Sequence, residues 1–581
     1  MRNVIKNIPE RNKLLLLSLV VGITSGLAAV LLRWLIDRVM ELVTGGPADG
    51  VFRWQFLVFP GVGMLISLLL VRYLVRDDIG HGVTKALLAV SRNESRIKTH
   101  NTWSSILTSS VTIGLGGSVG AEAPIVYTGA AIGSNLGRLC GLSHRSVTTL
   151  LGCGAAGAIA GIFKAPLAGV LFTLEILMFN ASLKTMLPLL LSTISATVVA
   201  YAFTGQQPPF ACTLTQFSMA NLPFYVILGF VAGFGALYFT RTTLWIEDKF
   251  ACFRNVYLRW IVCAAGLGLL IFLFPPLYGE GYESLSLLLN GAELEIEDSS
   301  ILSFLMKFKW SVPVFFALIF VAKVPAMAMT NAGGGVGGTF GPTLFCGAIL
   351  GFTISRSLNL LGAGVPEPNF VLVGMAALMA SVMQAPMTAI FLIAEISGGY
   401  DLLIPLILTA TVSFGTVRIF EKYSIYTKRI AQSGDLLTHD SDQAVMTLLQ
   451  TKSLIRDKYP RVLVSDTLRK LVKAISNSDA AVIAVLDPDG KFQGMIDVAN
   501  VRKDLFRSDK YDRIKVYNLM ESAPEMVSDT DRIEDVMRKF DTTGAWRLPV
   551  VNGEGKYLGF ISKSRLLMAY RAELREISTG D

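Results

Sequence analysis

The chain has 581 residues, of which 52% are hydrophobic and 17% are charged, with a formal net charge of +8. Soluble globular chains contain about 25% charged residues, so this composition excludes an ordinary soluble protein. Long apolar runs extend from about residue 14 to 420, and the charge density returns to soluble levels after about 428. We therefore predict a membrane domain over 1–435, a linker over 436–444 and a soluble C-terminal region.

Seven apolar segments meet or approach the roughly 20 residues that a spanning helix needs. They are 14–43, 54–75, 183–204, 221–245, 258–275, 310–329 and 369–394. Three further stretches, 111–139, 150–179 and 332–362, are apolar but interrupted by glycine and proline. Broken helices at membrane depth are tolerated only where protein or a water-filled path surrounds them. The pattern therefore favours a transporter or channel over a simple anchor.

Basic residues flank the apolar region at both ends. They are Arg2, Lys6, Arg11 and Lys13 before it, and Lys422, Lys428 and Arg429 after it. The positive-inside rule then predicts cytoplasmic termini. We expect a multi-pass protein of the plasma (inner) membrane without a cleaved leader.

The sequence gives no sign of nucleic-acid binding, because it contains no basic patch interleaved with aromatic residues. The cysteines form no CxxC pair and the histidines are scattered, so we expect no metal site and no required cofactor.

Two stretches of the membrane part repeat each other. Gly120-Ala-Glu-Ala-Pro124 and Gly338-Thr-Phe-Gly-Pro342 are each followed by glycines five and nine residues after the proline. Downstream, Ala165–Ile176 matches Ala385–Ile396, and both segments begin with Ala-Pro and end with Glu-Ile. Glycine-broken segments at corresponding places in two halves indicate a substrate site near the membrane midplane, between inverted repeats.

The backbone of these repeats suits an anion. A glycine-rich helix start leaves N–H groups without partners, and the helix dipole adds roughly half a positive charge there. No Lys or Arg occurs within 112–137 or 330–355, which suits a monovalent anion that must also leave. The alternative is that small residues serve close helix packing. Repetition in both halves favours the ion site.

In this order, the motifs resemble the CLC chloride channel/transporter family. The family's GSGIP-like stretch corresponds to Gly80-His-Gly-Val-Thr84, and its GREGP-like stretch to Gly120-Ala-Glu-Ala-Pro124. Its GxFxP stretch corresponds to Gly338–Pro342, and its central tyrosine to Tyr426. The resemblance implies an all-α polytopic membrane domain with an inverted internal repeat. It also implies that chloride contacts Gly80, His81, Gly82, Gly120, Ala121, Gly338, Thr339, Phe340 and Tyr426.

By the same resemblance, Glu122 is the gating glutamate. Its ionised carboxylate occupies an anion site, and on protonation it swings away and an anion replaces it. This couples proton and anion occupancy, because two negative charges cannot share one desolvated site. The alternative is a helix N-terminal glutamate favoured only by the dipole.

Two positions depart from the family pattern. The central serine position holds His81, which leaves three possibilities: pH-dependent conduction, a narrower inner vestibule, or a loop with a different course. The inner proton glutamate of the coupled exchangers falls on Ile176, which cannot relay a proton. Glu175 is then a structural or helix-end carboxylate. The loss favours a glutamate-gated chloride channel, with one pore in each subunit of a homodimer; the alternative is a chloride/proton antiporter.

After residue 430 a strand–helix pattern occurs twice and resembles paired CBS domains, over 445–510 and 511–581 including the tail. The fold class is therefore α/β for this cytosolic part. Such pairs often bind adenine nucleotides through an acid in a cleft. The corresponding positions are Asp497, Asn500, Ser562 and Arg565, and neither copy has the acid. We expect a dimer-stabilising tail, with nucleotide binding as the alternative.

The sequence lacks the signals of two other classes of protein. An intramembrane enzyme would need a nucleophile with a base or a metal set, but no HExxH or GxSxG motif occurs. A CBS-gated Mg²⁺ transporter would want acidic pore residues, whereas the midplane motifs offer glycine amides and isolated glutamates. We therefore expect no enzyme activity, with chloride and the lipid bilayer as partners.

Overall fold

The computed structural model describes residues 9–44, 54–92, 95–210, 214–292, 296, 308–433, 449–507 and 510–578. It divides into two compact units, Met1–Asp435 and Leu436–Asp581. The predicted linker 436–444 lies outside the described residues, as do Arg2 and Lys6. The division of the C-terminal region into two CBS copies at residue 510 stays a prediction.

The first unit is helical, apart from one isolated bridge described below. Its helices are α1 Glu10–Thr44, α2 Trp54–Leu69, α3 Gly82–Arg92, α4 Ser104–Gly114, α5 Glu122–Leu139, α6 His144–Phe163, α7 Pro166–Glu175, α8 Leu183–Thr204, α9 Leu222–Ala251, α10 Val256–Leu273, α11 Tyr282–Leu289, α12 Ser311–Ala332, α13 Phe340–Leu360, α14 Glu367–Val382, α15 Pro386–Ile396, α16 Leu403–Phe420 and α17 Lys428–Ser433. A π-helical turn, Leu70–Val75, continues α2, and 3₁₀ turns cover Thr99–Thr102, Met219–Asn221 and Pro275–Leu277.

Nine helices are long and apolar enough to cross a membrane, counted over the described ranges and with the π-helical turn Leu70–Val75 added to α2. Three shorter apolar helices, α7, α14 and α15, accompany them. Short apolar helices lie inside a bundle, where other helices satisfy the backbone at their ends. The protein is therefore a multi-pass membrane protein, and the predicted helical membrane fold is confirmed.

Two sequence expectations about the helices need correction. The segment 369–394 is two helices, because α14 ends at Val382 and α15 starts at Pro386. Between them, Gln384 has a φ of +52°, and Pro386 lacks the N–H that would continue a helix. The helix α16 was not among the seven predicted spans. Its 18 residues are at the lower limit of a spanning length, so a length criterion passes over it.

The downstream glycines of the repeat serve close packing. A Cβ on Gly129 of α5 would lie 2.1 Å from the carbonyl oxygen of Gly154 in α6. In the second half, a Cβ on Gly347 of α13 would lie 2.5 Å from the carbonyl oxygen of Gly374 in α14. The packing alternative therefore holds for these glycines, which bring the same helix pairs into backbone contact in both halves.

The second unit contains two similar three-stranded sheets. The strands are β1 Arg461–Leu463, β2 Val482–Leu486, β3 Phe492–Asp497, β4 Val527–Ser528, β5 Arg547–Val551 and β6 Tyr557–Ser562. The helices are α18 Thr451–Leu454, α19 Leu468–Ser476, α20 Val498–Val501, α21 Ile533–Thr543 and α22 Lys563–Ser578, with a 3₁₀ turn at Val516–Asn518. In each sheet the first strand pairs parallel with the second, and the second antiparallel with the third. The predicted α/β fold of this region is confirmed.

The two sheets share an apolar cluster. Phe560 of β6 is 1% exposed and lies with its ring 5.0 Å from that of Tyr459 and 6.4 Å from that of Phe492. Val482, Ala484 and Leu486, on one face of β2, belong to the same cluster. The two copies therefore bury apolar side chains against each other as well as in their own cores.

Candidate functional site

The two repeated glycine motifs meet in the middle of the membrane unit. Gly120 and Gly338 form an antiparallel bridge in which each N–H donates to the carbonyl of the other, at 3.0 and 2.7 Å. The helices α5 and α13 begin directly after these glycines. The positive ends of the two helix dipoles therefore lie next to each other, although 218 residues separate the motifs.

The Glu122 carboxylate lies at this junction and is buried. Its Oε2 accepts a hydrogen bond from the Gly341 N–H at 3.1 Å, and its Oε1 accepts one from the Tyr282 hydroxyl. Gly341 belongs to the first turn of α13, whose N–H groups have no acceptor within the helix. The carboxylate thus occupies a place that the backbone makes suitable for an anion.

Tyr426 and Thr339, two of the expected anion-binding residues, contact each other. The Thr339 hydroxyl donates to the Tyr426 hydroxyl oxygen at 3.1 Å, and that hydroxyl points to Met383 Sδ at 4.0 Å. Phe340 is 1% exposed, with its ring between those of Phe163 and Phe172. The N–H groups of Thr339 and Phe340 lie at the start of α13, where helix geometry directs them away from the helix.

Four of the expected anion donors have protein acceptors instead. The N–H groups of Gly120 and Gly338 donate to each other's carbonyls, and the Ala121 N–H donates to Glu280 Oε1 at 2.9 Å. The Gly80 N–H donates to Asp78 Oδ1 at 3.0 Å. The backbone amides of these four residues therefore already have acceptors, and the anion contacts expected of the residues stay a prediction. A glycine-rich motif indicates where a helix starts but not which of its amides are already paired.

His81 lies immediately before α3, with a left-handed backbone conformation (φ of +41°). Its Nε2 is 3.4 Å from Glu247 Oε1, and the Glu247 side chain is 8% exposed on α9. Gly82, the first residue of α3, approaches α5 closely, because a Cβ there would be 2.4 Å from the Ala123 carbonyl oxygen. The imidazole thus faces a carboxylate, in a segment that packs against the helix carrying Glu122.

Ile176 follows the end of α7 and is buried, so the position of the inner proton glutamate is apolar. The neighbouring Glu175 caps α15: its oxygens accept from the Met387 N–H at 3.0 Å and the Thr388 N–H at 2.7 Å. In the other half, Glu395 accepts from the Leu167 N–H at 3.1 Å and the Ala168 N–H at 2.9 Å, at the start of α7. The expectation that Glu175 is a helix-end carboxylate is confirmed, and the repeat makes the contact reciprocal.

The segment that carries Tyr426 is fixed to α9 by an ion-pair network centred on Glu421. Glu421 accepts from Arg241 Nε at 2.8 Å and from Lys428 Nζ at 2.7 Å. Burial alone would raise the pKa of Glu421, but the hydrogen bonds and charges of Lys428 and Arg241 lower it below the ordinary 4.5. The carboxylate is therefore ionised at neutral pH and holds residues 421–428 against α9.

Three residues of the site were missed by the sequence analysis: Arg33, Glu280 and Tyr282. Glu280 and Tyr282 flank Gly281 just before α11, in a segment that none of the predicted spans includes. A signal was available, because an isolated glutamate between apolar segments of a membrane domain is a functional candidate. Arg33 is likewise a charged residue within a membrane segment, inside the first predicted span.

The four predicted CBS-cleft residues are not equivalent. Asp497 Oδ1 caps the short helix α20 at Ala499 N (2.9 Å) and lines a cavity of about 440 Å³. Asn500 donates to Glu521 Oε1 at 2.9 Å, and Arg565 donates to the Ser453 carbonyl at 3.4 Å. The Ser562 hydroxyl accepts from the Arg565 N–H at 3.3 Å. Only Asp497 of the four lines this cavity.

Comparisons with known proteins agree with this architecture. The family model described as "Voltage gated chloride channel" matches residues 62–418, and the model described as "CBS domain" matches residues 516–572. A Ralstonia nicotianae protein named "Putative chloride channel protein ClcB-like" is 28% identical over 390 residues, which is 66% of this chain and 87% of that protein.

An "H(+)/Cl(-) exchange transporter ClcA" from Vibrio vulnificus is 29% identical over 311 residues. That match covers 51% of this chain and 62% of the exchanger's own length. The solved structure of a slow cyanobacterial Cl⁻/H⁺ antiporter superposes with a TM-score of 0.63 at 21% identity, covering 73% of this chain and 98% of that one. At this identity the superposition establishes the fold alone.

Proposed function

The chain belongs to the voltage-gated chloride channel family, whose model matches more than half of it, and on that premise we propose that it is a chloride/proton antiporter gated by Glu122. The position of the Glu122 carboxylate carries the proposal. Both of its oxygens accept hydrogen bonds where two helix starts meet, from Gly341 and Tyr282. An anion enters this place only when the carboxylate is neutralised or displaced, which links anion and proton occupancy.

We favour exchange over the passive channel that Ile176 suggested. The Vibrio vulnificus relative and the cyanobacterial structure carry names that describe exchange of chloride and protons. The Ralstonia nicotianae relative carries a channel name, which keeps the channel as the competing proposal. Exchange without a carboxylate at Ile176 requires another proton route to Glu122. The titratable pair His81 and Glu247, 3.4 Å apart, is a candidate for that route.

In this proposal the protein works as a homodimer with one pathway per subunit, in the plasma (inner) membrane, with both termini in the cytoplasm. The helices α8 and α16 expose apolar side chains such as Ile194, Val198 and Ile404, which suit lipid or a second copy. Light scattering of the detergent-solubilised protein tests the dimer. A monomeric mass would contradict it.

The CBS unit stabilises this dimer in the same proposal. Asn500 and Arg565 of the predicted nucleotide clefts bond to protein oxygens. The cavity beside Asp497 supports adenine nucleotide binding as the alternative. Titration of the full chain with ATP and with ADP separates the two, because saturable binding would favour the nucleotide role.

Reversal potentials in proteoliposomes test the transport proposal. For an antiporter, an imposed pH gradient shifts the reversal potential at a fixed chloride gradient. For a channel, the reversal potential follows the chloride gradient alone. A reversal potential that ignores the pH gradient would overturn exchange in favour of the channel.

The variant Glu122→Ala tests the gate separately. It removes the carboxylate that we place in the anion pathway, so the pH dependence of chloride flux should disappear together with proton coupling. Chloride efflux from proteoliposomes, measured over a range of pH, checks this outcome. An unchanged pH response would contradict the gating role of Glu122.

A further inference from the structure

A buried charged group lies directly behind the gate. Glu280 is 7% exposed, and its two oxygens have different partners. Oε1 accepts from the Ala121 N–H at 2.9 Å, and Oε2 accepts from Arg33 Nη1 at 3.0 Å. Glu280 therefore ties the residue that precedes Glu122 to helix α1, and Arg33 balances its charge.

The segment 277–282 is held from a second side by a buried lysine. Lys323 of α12 is 0% exposed, and its Nζ donates to the carbonyls of Leu277 at 3.3 Å and Gly279 at 3.0 Å. Gly281 has a φ of +87°, and a Cβ there would lie 2.6 Å from the Phe345 ring. The backbone that leads into Tyr282 is therefore fixed against α12 and α13.

The Tyr282 ring has its own packing partners. Its centroid is 5.4 Å from that of Phe210 in an edge-to-face arrangement, and the Arg33 guanidinium lies 6.0 Å from it. Its hydroxyl donates to Glu122 Oε1. The ring thus packs independently of the hydroxyl, and the hydroxyl acts on the gate.

The other ionisable groups around the Glu122 carboxylate have hydrogen-bond or ion-pair partners of their own. The Glu280 carboxylate is paired with Arg33, and Arg33 Nε is also 3.5 Å from Asp37 Oδ1. The Tyr426 hydroxyl accepts from Thr339 and points to Met383. In contrast to Glu280, Arg33 and Tyr426, Tyr282 donates a hydrogen bond to the Glu122 carboxylate.

We propose that Tyr282 is a positioning residue of the gate: its hydroxyl holds the ionised Glu122 carboxylate in the anion pathway. Glu280, Arg33 and Lys323 fix the segment that presents the hydroxyl. A hydrogen bond from a hydroxyl to a carboxylate is stronger than one to a neutral carboxyl group. Tyr282 therefore favours the closed state, in which the ionised Glu122 carboxylate occupies the anion pathway. This inference rests on the proposed gating role of Glu122.

The test compares Tyr282→Phe with Tyr278→Phe in the full-length protein in proteoliposomes. Both variants remove one tyrosine hydroxyl from the same segment, but the Tyr278 hydroxyl is buried without a hydrogen-bond partner among the described residues. For Tyr282→Phe, the pH of half-maximal chloride efflux should move up by about one unit, the size expected for one charge-assisted hydrogen bond. Tyr278→Phe should keep the wild-type profile. An unmoved profile in Tyr282→Phe would overturn the proposal.

A double variant separates this inference from the gating role itself. In a Glu122→Ala background, Tyr282→Phe should change neither the rate nor its pH dependence, because the hydroxyl acts through the carboxylate. An effect in that background would overturn the positioning role and indicate a structural one. If the single variant Glu122→Ala keeps the wild-type pH response, the proposed gating role of Glu122 is wrong, whatever the effect of Tyr282→Phe. Tyr282→Met, which also lacks the donor and fills the space, replaces the Phe variant if that variant does not fold.

Discussion

At the scale of single residues, the proposed gate depends on how close the backbone comes to the Glu122 carboxylate. A Cβ on Gly120 would lie 2.1 Å from Glu122 Oε2 and 2.9 Å from the Gly341 nitrogen. Real Cβ atoms do not approach other atoms so closely, so only glycine leaves room for the carboxylate at this junction. This is a second function of Gly120 besides its bridge to Gly338.

We therefore predict that Gly120→Ala displaces the Glu122 carboxylate from its place. Chloride efflux at neutral pH should rise several-fold, and its pH dependence should flatten toward that of Glu122→Ala. Gly415→Ala is the matched control, because a Cβ there meets no described atom within 4 Å outside its own helix. Efflux assays over a pH series check the prediction. A wild-type pH profile in Gly120→Ala would refute the steric argument.

At the scale of elements, α7 and α15 are capped by carboxylates from each other's ends. Glu175 serves the first turn of α15 and Glu395 the first turn of α7. A negative charge at a helix N-terminus satisfies free N–H groups and the helix dipole together. The two short helices thus stabilise each other as a pair.

The variant Glu175→Gln should destabilise this pair by about 1–3 kcal/mol, since it leaves a buried N–H without its charged acceptor. Thermal unfolding in detergent measures the loss, with Glu283→Gln on the exposed start of α11 as the control. Chloride and proton coupling should be kept, because Glu175 is engaged as a cap. Loss of proton coupling at unchanged stability would instead make Glu175 the inner proton carrier.

The sequence predicted the elements of the site better than its contacts. Glycine spacing located the starts of α5 and α13, whereas the start of α15 at Pro386 fell inside the single predicted span 369–394. The contact of Tyr282 with Glu122 spans 160 residues, and that of Arg33 with Glu280 spans 247. No local pattern encodes such pairings, because they depend on how distant helices pack. For the same reason, the sequence does not show that the amides of Gly120, Ala121 and Gly338 have protein acceptors.

At the scale of the whole molecule, the chain combines a membrane unit with an α/β unit that has its own cores. Strand alternation and turn signals predicted both sheets, while the cluster shared between the copies depends on tertiary packing. Phe560 belongs to that shared cluster and is almost fully buried. The stability of the second unit therefore depends on the contact between its two sheets.

We predict that Phe560→Ala destabilises the second unit by about 3–5 kcal/mol, through lost burial and the cavity left behind. Phe506→Ala is the control, since Phe506 is 82% exposed. Thermal unfolding of the full chain is monitored with one probe in each unit. The unfolding temperature of the second unit should fall, and that of the membrane unit should stay unchanged. Equal shifts in both variants would contradict the role of the cluster.

The bridge between Gly120 and Gly338 also limits how the protein can move. The two halves of the membrane unit are joined at the pathway itself by two short backbone hydrogen bonds. A rocking motion of one half against the other would break both bonds and expose their polar groups where few alternative partners exist. If the protein exchanges chloride and protons as proposed, we expect access to alternate between the two sides of the membrane through side-chain rotations, above all that of Glu122, while the backbone bridge stays intact.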